Sequence, residues 1–215
     1  MNPATQRDRI RAAVGTKGGR WYDVRNTTGQ RAVVRIYDEI SFLGITAEEF
    51  AADLAKIDAE TIEVQINSPG GNVFDGIAIY NTLRAHPARI ITRVDGLAAS
   101  IASVIVQAGD ERQMAASAQM MVHQAWGACV GNADEMADMA QVLKRQNDVL
   151  IEIYATRSGR NTSRLRQLVN AETWLTAKEA VTEGLADVVL GDGKTTSNRH
   201  ANLDMGDAAL MLLDL

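Results

Sequence analysis

The chain has 215 residues, of which 46% are hydrophobic, 23% charged and only 5% aromatic, with a formal net charge of −5 at neutral pH. That composition suits one globular domain with a core of small and aliphatic side chains. The negative balance, without a recurring basic stripe, argues against a nucleic-acid footprint. One cysteine, Cys129, excludes an intrachain disulfide and a zinc site built on thiolates, and fits a reducing compartment. Residues 1–19 lack the apolar stretch of a secretory signal. The longest nearly apolar run, 97–108, is too short and too serine-rich to span a bilayer. A cytoplasmic protein without membrane contact is expected.

Residues 1–30 are polar and carry the loop signals GTKGG and NTTGQ, which predict a loose arm ahead of a domain over 31–192. RAVVRIYDEI (31–40) has the β-branched content of a strand. Thr46 and Glu49 have capping-box spacing, and Phe50, Leu54 and Ile57 share one face, so a helix follows. Ile62, Val64 and Ile66 alternate as a strand that SPGGN stops. Apolar positions 73, 74, 77, 80 and 83 give a second helix, closed by Pro87. ARIITRVDG reads as a strand feeding a helix over 97–108, and RQMAA and QMMVHQ as short strands. The longest predicted element is a helix over 132–156, started by Asn132 and Glu135 and stopped by Gly159. Its length implies that part of it projects and packs on another chain. Shorter helices follow near 162–169 and after Thr176, whose spacing to Glu179 repeats the capping box, with Gly184 as the stop. Residues 193–215 form a tail rich in small polar residues and ending ALMLLDL. Strands alternating with helices predict an α/β fold with a largely parallel sheet.

Three places in this order could carry chemistry. In INSPGGN a strand ends, proline stiffens the turn and two glycines expose backbone N–H groups that could bind an oxyanion or phosphate. A tight connection needing glycine for positive φ explains the same residues. Ser100 follows a strand and opens a helix, so the Ile101 N–H lies near its hydroxyl. The placement has the logic of a nucleophile elbow without the G-x-S-x-G motif, and an N-cap serine reads equally well. Of the three histidines, only His123 lies in an apolar strand context; His86 and His200 read as solvated. His123 is either a satisfied structural residue or the base that a reactive serine requires.

Taken together, INSPGG, then DGLAASIAS, then MVHQ, then a long helix and TAKEAVTEGLAD resemble, over about residues 60–190, the Clp protease proteolytic subunit (ClpP) family. The resemblance implies a ClpP/crotonase-type α/β fold and a serine endopeptidase needing no metal or organic cofactor. It makes Ser100 the nucleophile and His123 the general base, with the Gly71 and Ile101 N–H groups as oxyanion hole. The family has an aspartate where ETWLTA places Glu172, so Glu172 becomes the third triad member, with Asp187 as the alternative. Gly70, Gly71, Asn72 and Val73 would bind the extended substrate backbone by strand addition. The family also implies rings, heptameric or stacked, acting on polypeptides with or without an ATPase unfoldase, with the long helix at the contact between rings.

The opening VVRIYDEISFLGITAEEFAADLAKI resembles ClpP-related head maturation proteases of tailed phages. That implies capsid or scaffold proteins as substrates and a location in host cytoplasm or procapsid. Other readings are a degradative peptidase fed by an unfoldase, a crotonase-like acyl-CoA enzyme, or a shell protein without chemistry. Membrane-bound signal peptide peptidase relatives, which pair serine with lysine, fit His123 poorly.

Overall fold

The computed structural model describes residues 22–25, 28–40 and 46–191. The arm up to residue 21 and the tail from 193 lie outside the described residues. Eight strands form one sheet: β1 (Tyr22–Arg25), β2 (Thr28–Ile36), β3 (Asp58–Ser68), β4 (Arg89–Ala99), β5 (Glu111–Ala115), β6 (Gln119–Val122), β7 (Thr173–Thr176) and β8 (Val188–Leu190). The main path runs β1-β2-β3-β4-β5-β8, and β6 and β7 branch from β4. The pairs β2–β3, β3–β4, β4–β5, β4–β6 and β5–β8 are parallel, while β1–β2 and β6–β7 are antiparallel. The α/β expectation therefore holds.

The helices are α1 (Ala47–Leu54), α2 (Val73–Ala85), α3 (Ile101–Val106), α4 (Ala133–Ser158), α5 (Thr162–Asn170) and α6 (Ala177–Thr182). Capping boxes form as their spacing predicted at Thr46/Glu49, Asn132/Glu135 and Thr176/Glu179. Each satisfies two backbone donors that a helix start would otherwise leave open.

Three boundaries differ from the sequence reading. The sheet begins with β1 and Thr28, inside the stretch read as an arm, because β1 pairs along β2 from Tyr22–Ile36 to Arg25–Val33. Leu97, Ala98 and Ala99 are strand, not helix, since they pair with Gln119, Met120 and Met121 of β6. The helix there is only the buried hexapeptide α3. Strands β7 and β8 are three or four residues long, too short for periodicity to reveal.

The core lies where α1, α2 and α3 cover one face of the sheet. Val34, Ile36, Ile62, Val64, Ile66, Val94 and Met114 are fully buried there, with Phe50, Leu54, Ile79 and Leu83 from the helices. The intervening residues of β3 turn to the opposite face, where Glu63 pairs with Arg31 and Arg93 and accepts a hydrogen bond from the Gln65 amide. Of the 26 residues of α4, only Leu150, Ile151 and Tyr154 are buried. Residues 133–138 are all exposed, whereas Leu143 packs against the core and Asn147 accepts from the Ala125 N–H, so any projecting part of α4 is confined to its first turns.

This topology fixes where a site can form. β3, β4 and β6 are neighbours with the same direction, so the segments leaving their carboxyl ends converge: Pro69–Gly71, Ser100 and His123. Such ends are where α/β sheets usually hold ligands. Because β7 runs antiparallel to β6, its amino end brings Glu172 to the same place.

Candidate active site

Ser100 follows the last residue of β4 directly. Its N–H donates to the Met121 carbonyl at 2.9 Å, tying it to β6. Its backbone has φ 55° and ψ −128°, and its side chain makes no capping bond to α3. The N-cap reading therefore fails, because a capping serine keeps an extended negative-φ backbone and accepts from the helix N–H groups. A serine held this way costs about 1–3 kcal/mol of backbone strain, a feature that concentrates at functional sites. What the strained turn achieves is to free the hydroxyl, which lies 2.7 Å from His123 Nε2.

His123 comes directly after β6, with its side chain 17% exposed. Val122 pairs with Thr173 across the β6–β7 ladder. Continuing that register one step places His123 opposite Glu172. Glu172 Oε2 lies 3.9 Å from His123 Nδ1, and its side chain is 62% exposed. That is an ion-pair separation, too long for a hydrogen bond. Glu172 has φ 49° and, with Ser100, is one of the two non-glycine residues with positive φ among the described residues.

The alternative acid, Asp187, is committed elsewhere. Arg112 donates to it through Nε at 2.9 Å, Nη2 at 2.5 Å and its backbone N–H at 2.8 Å. Burial pushes the Asp187 carboxyl up, but these hydrogen bonds, with the positive charges of Arg112 and Arg157, outweigh it and hold the pKa below the usual carboxylate value. Arg112 also donates to Gln107 Oε1 and the Gly184 carbonyl. Asp187 thus secures the α6–β8 connection.

The SPGG turn sits against this serine. A Cβ at Gly70 would come within 2.7 Å of Ser100 Cβ and 3.2 Å of the Ile101 nitrogen, so only glycine permits the approach. Gly70 and Gly71 have φ 97° and 145°. Ile40 flanks the turn in a parallel bridge: its N–H donates to the Gly70 carbonyl, and its carbonyl accepts from the Asn72 N–H. Alternation along that bridge turns the Gly71 N–H to the opposite side. Among the described residues no hydrogen bond is found for the Gly71 or Ile101 N–H. Asn72 caps α2 by accepting from the Phe74 and Asp75 N–H groups, and Val73 is the first residue of that helix. The Asn72 side-chain oxygen is thus already in use, and both residues line the cleft.

The cleft holds about 600 Å³ and opens beside Ser100 and His123. Its lining includes Phe74, Met121 and Trp126, with Met139, Val142 and Leu143 of α4, and Gln146 adds one amide. Phe74 and Trp126 are 60% and 76% exposed, a large apolar area left open to solvent. The spacing of Met139 and Leu143 marks apolar positions of a helix, but local spacing does not reveal that they line a cleft. His86 accepts from the Ala88 N–H at the end of α2 and takes no part; His200 lies outside the described residues.

Behind the serine, the Ser103 hydroxyl donates to the Ser100 carbonyl at 2.5 Å and lies 2.7 Å from the Tyr154 hydroxyl. Burial pushes the Tyr154 phenol far above its ordinary pKa against a smaller lowering from Ser103, so it keeps its proton.

Known proteins resemble this chain over most of its length. Residues 16–193 match the Clp protease family model. The chain is 29% identical over 199 residues to the ATP-dependent Clp protease proteolytic subunit 1 of Salinibacter ruber, covering 90% of this chain and 85% of that protein. It is 30% identical over 190 residues to the ATP-dependent Clp protease proteolytic subunit of Chlorella vulgaris, covering 86% and 94%. With the corresponding Bacteroides fragilis subunit it shares 33% identity over 164 residues, 71% of this chain and 79% of the relative. The chain belongs to the Clp protease family and is a serine-type peptidase.

Proposed function

We propose that this member of the Clp protease family is an endopeptidase whose triad is Ser100, His123 and Glu172. The observation that carries the reading is the 2.7 Å contact between Ser100 Oγ and His123 Nε2 at a strained strand-to-helix turn. Ser100 Oγ attacks the scissile carbonyl while His123 Nε2 takes its proton and then returns it to the leaving amine. The Gly71 and Ile101 N–H groups receive the oxyanion of the tetrahedral intermediate. Water then attacks the acyl-serine with His123 again as base. Glu172 acts on the imidazolium mainly through its charge, since 3.9 Å separates them. These steps call for neither metal nor organic cofactor. The substrate strand lies along Gly70–Val73 and places an apolar side chain between Phe74 and Trp126.

The partner is a polypeptide, and the opening of the chain supports capsid or scaffold proteins of a phage head, processed in host cytoplasm or procapsid. A second reading, a degradative subunit fed by an ATP-driven unfoldase, is supported by the relatives' names, which call them ATP-dependent proteolytic subunits. Both readings involve rings, with the projecting part of α4 between them. They separate on product size: a head maturation enzyme releases a few defined fragments from a folded substrate without nucleotide, whereas an unfoldase-fed one yields short peptides only with ATP.

Ser100→Ala tests the chemistry that both share. It keeps the Cβ and the fold, so its melting temperature should stay near wild type while kcat on an apolar fluorogenic peptide falls by about 10⁴-fold or more. Activity within about tenfold of wild type would remove Ser100 from the mechanism.

A further inference from the structure

The Ser100 carbonyl and the Ile101 N–H belong to one planar trans peptide, so they point in opposite directions. Whatever fixes the carbonyl therefore fixes the donor. The Ser100 carbonyl accepts from the Ser103 N–H at 3.0 Å and from the Ser103 hydroxyl at 2.5 Å. Having spent its single proton on that carbonyl, the Ser103 hydroxyl can only accept from Tyr154, which donates at 2.7 Å. Ser103 is fully buried, and Tyr154 is 1% exposed on the anchored end of α4. The relay runs from the long helix through two hydroxyls to the back of the peptide whose front faces the cleft.

We propose that Ser103 and Tyr154 are positioning residues that orient the Ile101 N–H for the oxyanion, and so couple the seating of α4 to the reactivity of Ser100. The inference rests on Ser100 and Ile101 having the roles proposed above. Without the Tyr154 proton, the Ser103 hydroxyl is free to rotate, and the Ser100–Ile101 peptide loses its second donor part of the time. Binding of the ground-state substrate should not register this, because the Ile101 N–H is engaged fully only when charge develops on the oxygen.

The experiment compares Tyr154→Phe, Ser103→Ala and the double variant in the full chain. It reads kcat and KM on an apolar fluorogenic peptide, the inhibition constant of a peptide boronic acid of the same sequence, and the melting temperature. Tyr154→Phe removes one atom from a packed ring and should fold. Its kcat is expected to fall about tenfold with KM within twofold, and boronate affinity should weaken by about the same factor as kcat. Ser103→Ala should lose at least as much. The double variant should match Ser103→Ala alone, because Tyr154 acts through Ser103. A purely structural role would lower the melting temperature and leave kcat per folded molecule unchanged. If Ser103→Ala does not fold, the kcat and boronate values of Tyr154→Phe decide alone. Wild-type values in Tyr154→Phe, with Ser100→Ala inactive, overturn the relay and leave the triad standing. An active Ser100→Ala overturns the triad and the relay with it.

Discussion

Ser100 and Glu172 share a backbone property as well as a site, since both hold a positive φ that glycine adopts without strain. Each should therefore be a place where stability and activity oppose one another. Ser100→Gly should melt higher than wild type by an amount corresponding to about 1–3 kcal/mol and be inactive. Glu172→Gly should gain about 1 kcal/mol and be slowed. A differential scanning calorimetry trace with either variant below wild type would contradict the strain argument. The charge of Glu172 is tested separately. Glu172→Gln should reduce kcat by about 10- to 100-fold with KM little changed, less than for a buried triad acid, because the carboxylate is exposed and 3.9 Å away. Glu172→Asp should keep part of the activity. Asp187→Asn should instead cost about 1–3 kcal/mol of stability and stay active per folded molecule, since it leaves Arg112, whose side chain is 6% exposed, without its counter-charge. The sign of its pH dependence follows from its depressed pKa. Its contribution is fully present above the unfolded carboxylate pKa of about 4 and is lost as pH falls through the lower folded value. Acid titrations of wild type and Asp187→Asn should therefore converge below about pH 4; curves that stay parallel would contradict the assignment.

Among the elements, α4 links the cleft to the rest of the fold. Its buried end carries Tyr154, while its middle supplies Met139, Val142 and Leu143 to the cleft lining. Asn132→Ala removes the side-chain half of the capping box, and should loosen that lining at a cost of about 1 kcal/mol. Peptide kinetics should then show a raised KM with kcat little changed; a lower kcat at constant KM would mean that the lining does not hold substrate. Helices bounded by capping boxes, and strands with clear alternation such as β3, were legible in the sequence because their signals are local. The end of β4 was not: Leu97–Ala99 look helical in sequence, and only the pairing with β6 makes them strand. β7 and β8 escaped because three or four residues are too few to show a period. The candidate site at Ser100, His123 and the SPGG turn was readable only through their combined order. The separation of Asp187 from the site, and the Ser103–Tyr154 relay, depend on contacts 75 and 51 residues apart in sequence, which no local pattern reports.

For the molecule as a whole, an apolar cleft beside a lone projecting helix favours assembly over a free monomer. Met136 and Val149 are 52% and 42% exposed on α4, outside the residues that line the cleft. If the ring proposal holds, Met136→Glu combined with Val149→Glu should reduce the mass seen by light scattering, splitting stacked rings or dissociating them. An unchanged mass would place the contact elsewhere. The chemistry is a separate matter from assembly, and it also distinguishes a serine peptidase from a crotonase-like enzyme or a shell protein, neither of which needs a reactive serine. The most direct measurement treats the full chain with a fluorophosphonate probe and maps the adduct by mass spectrometry. The hydroxyl 2.7 Å from His123 Nε2 should be the one modified. The expected result is a single adduct on Ser100, absent after heat denaturation and absent in His123→Ala. No adduct, or an adduct on another serine with Ser100 unmodified, would contradict the account.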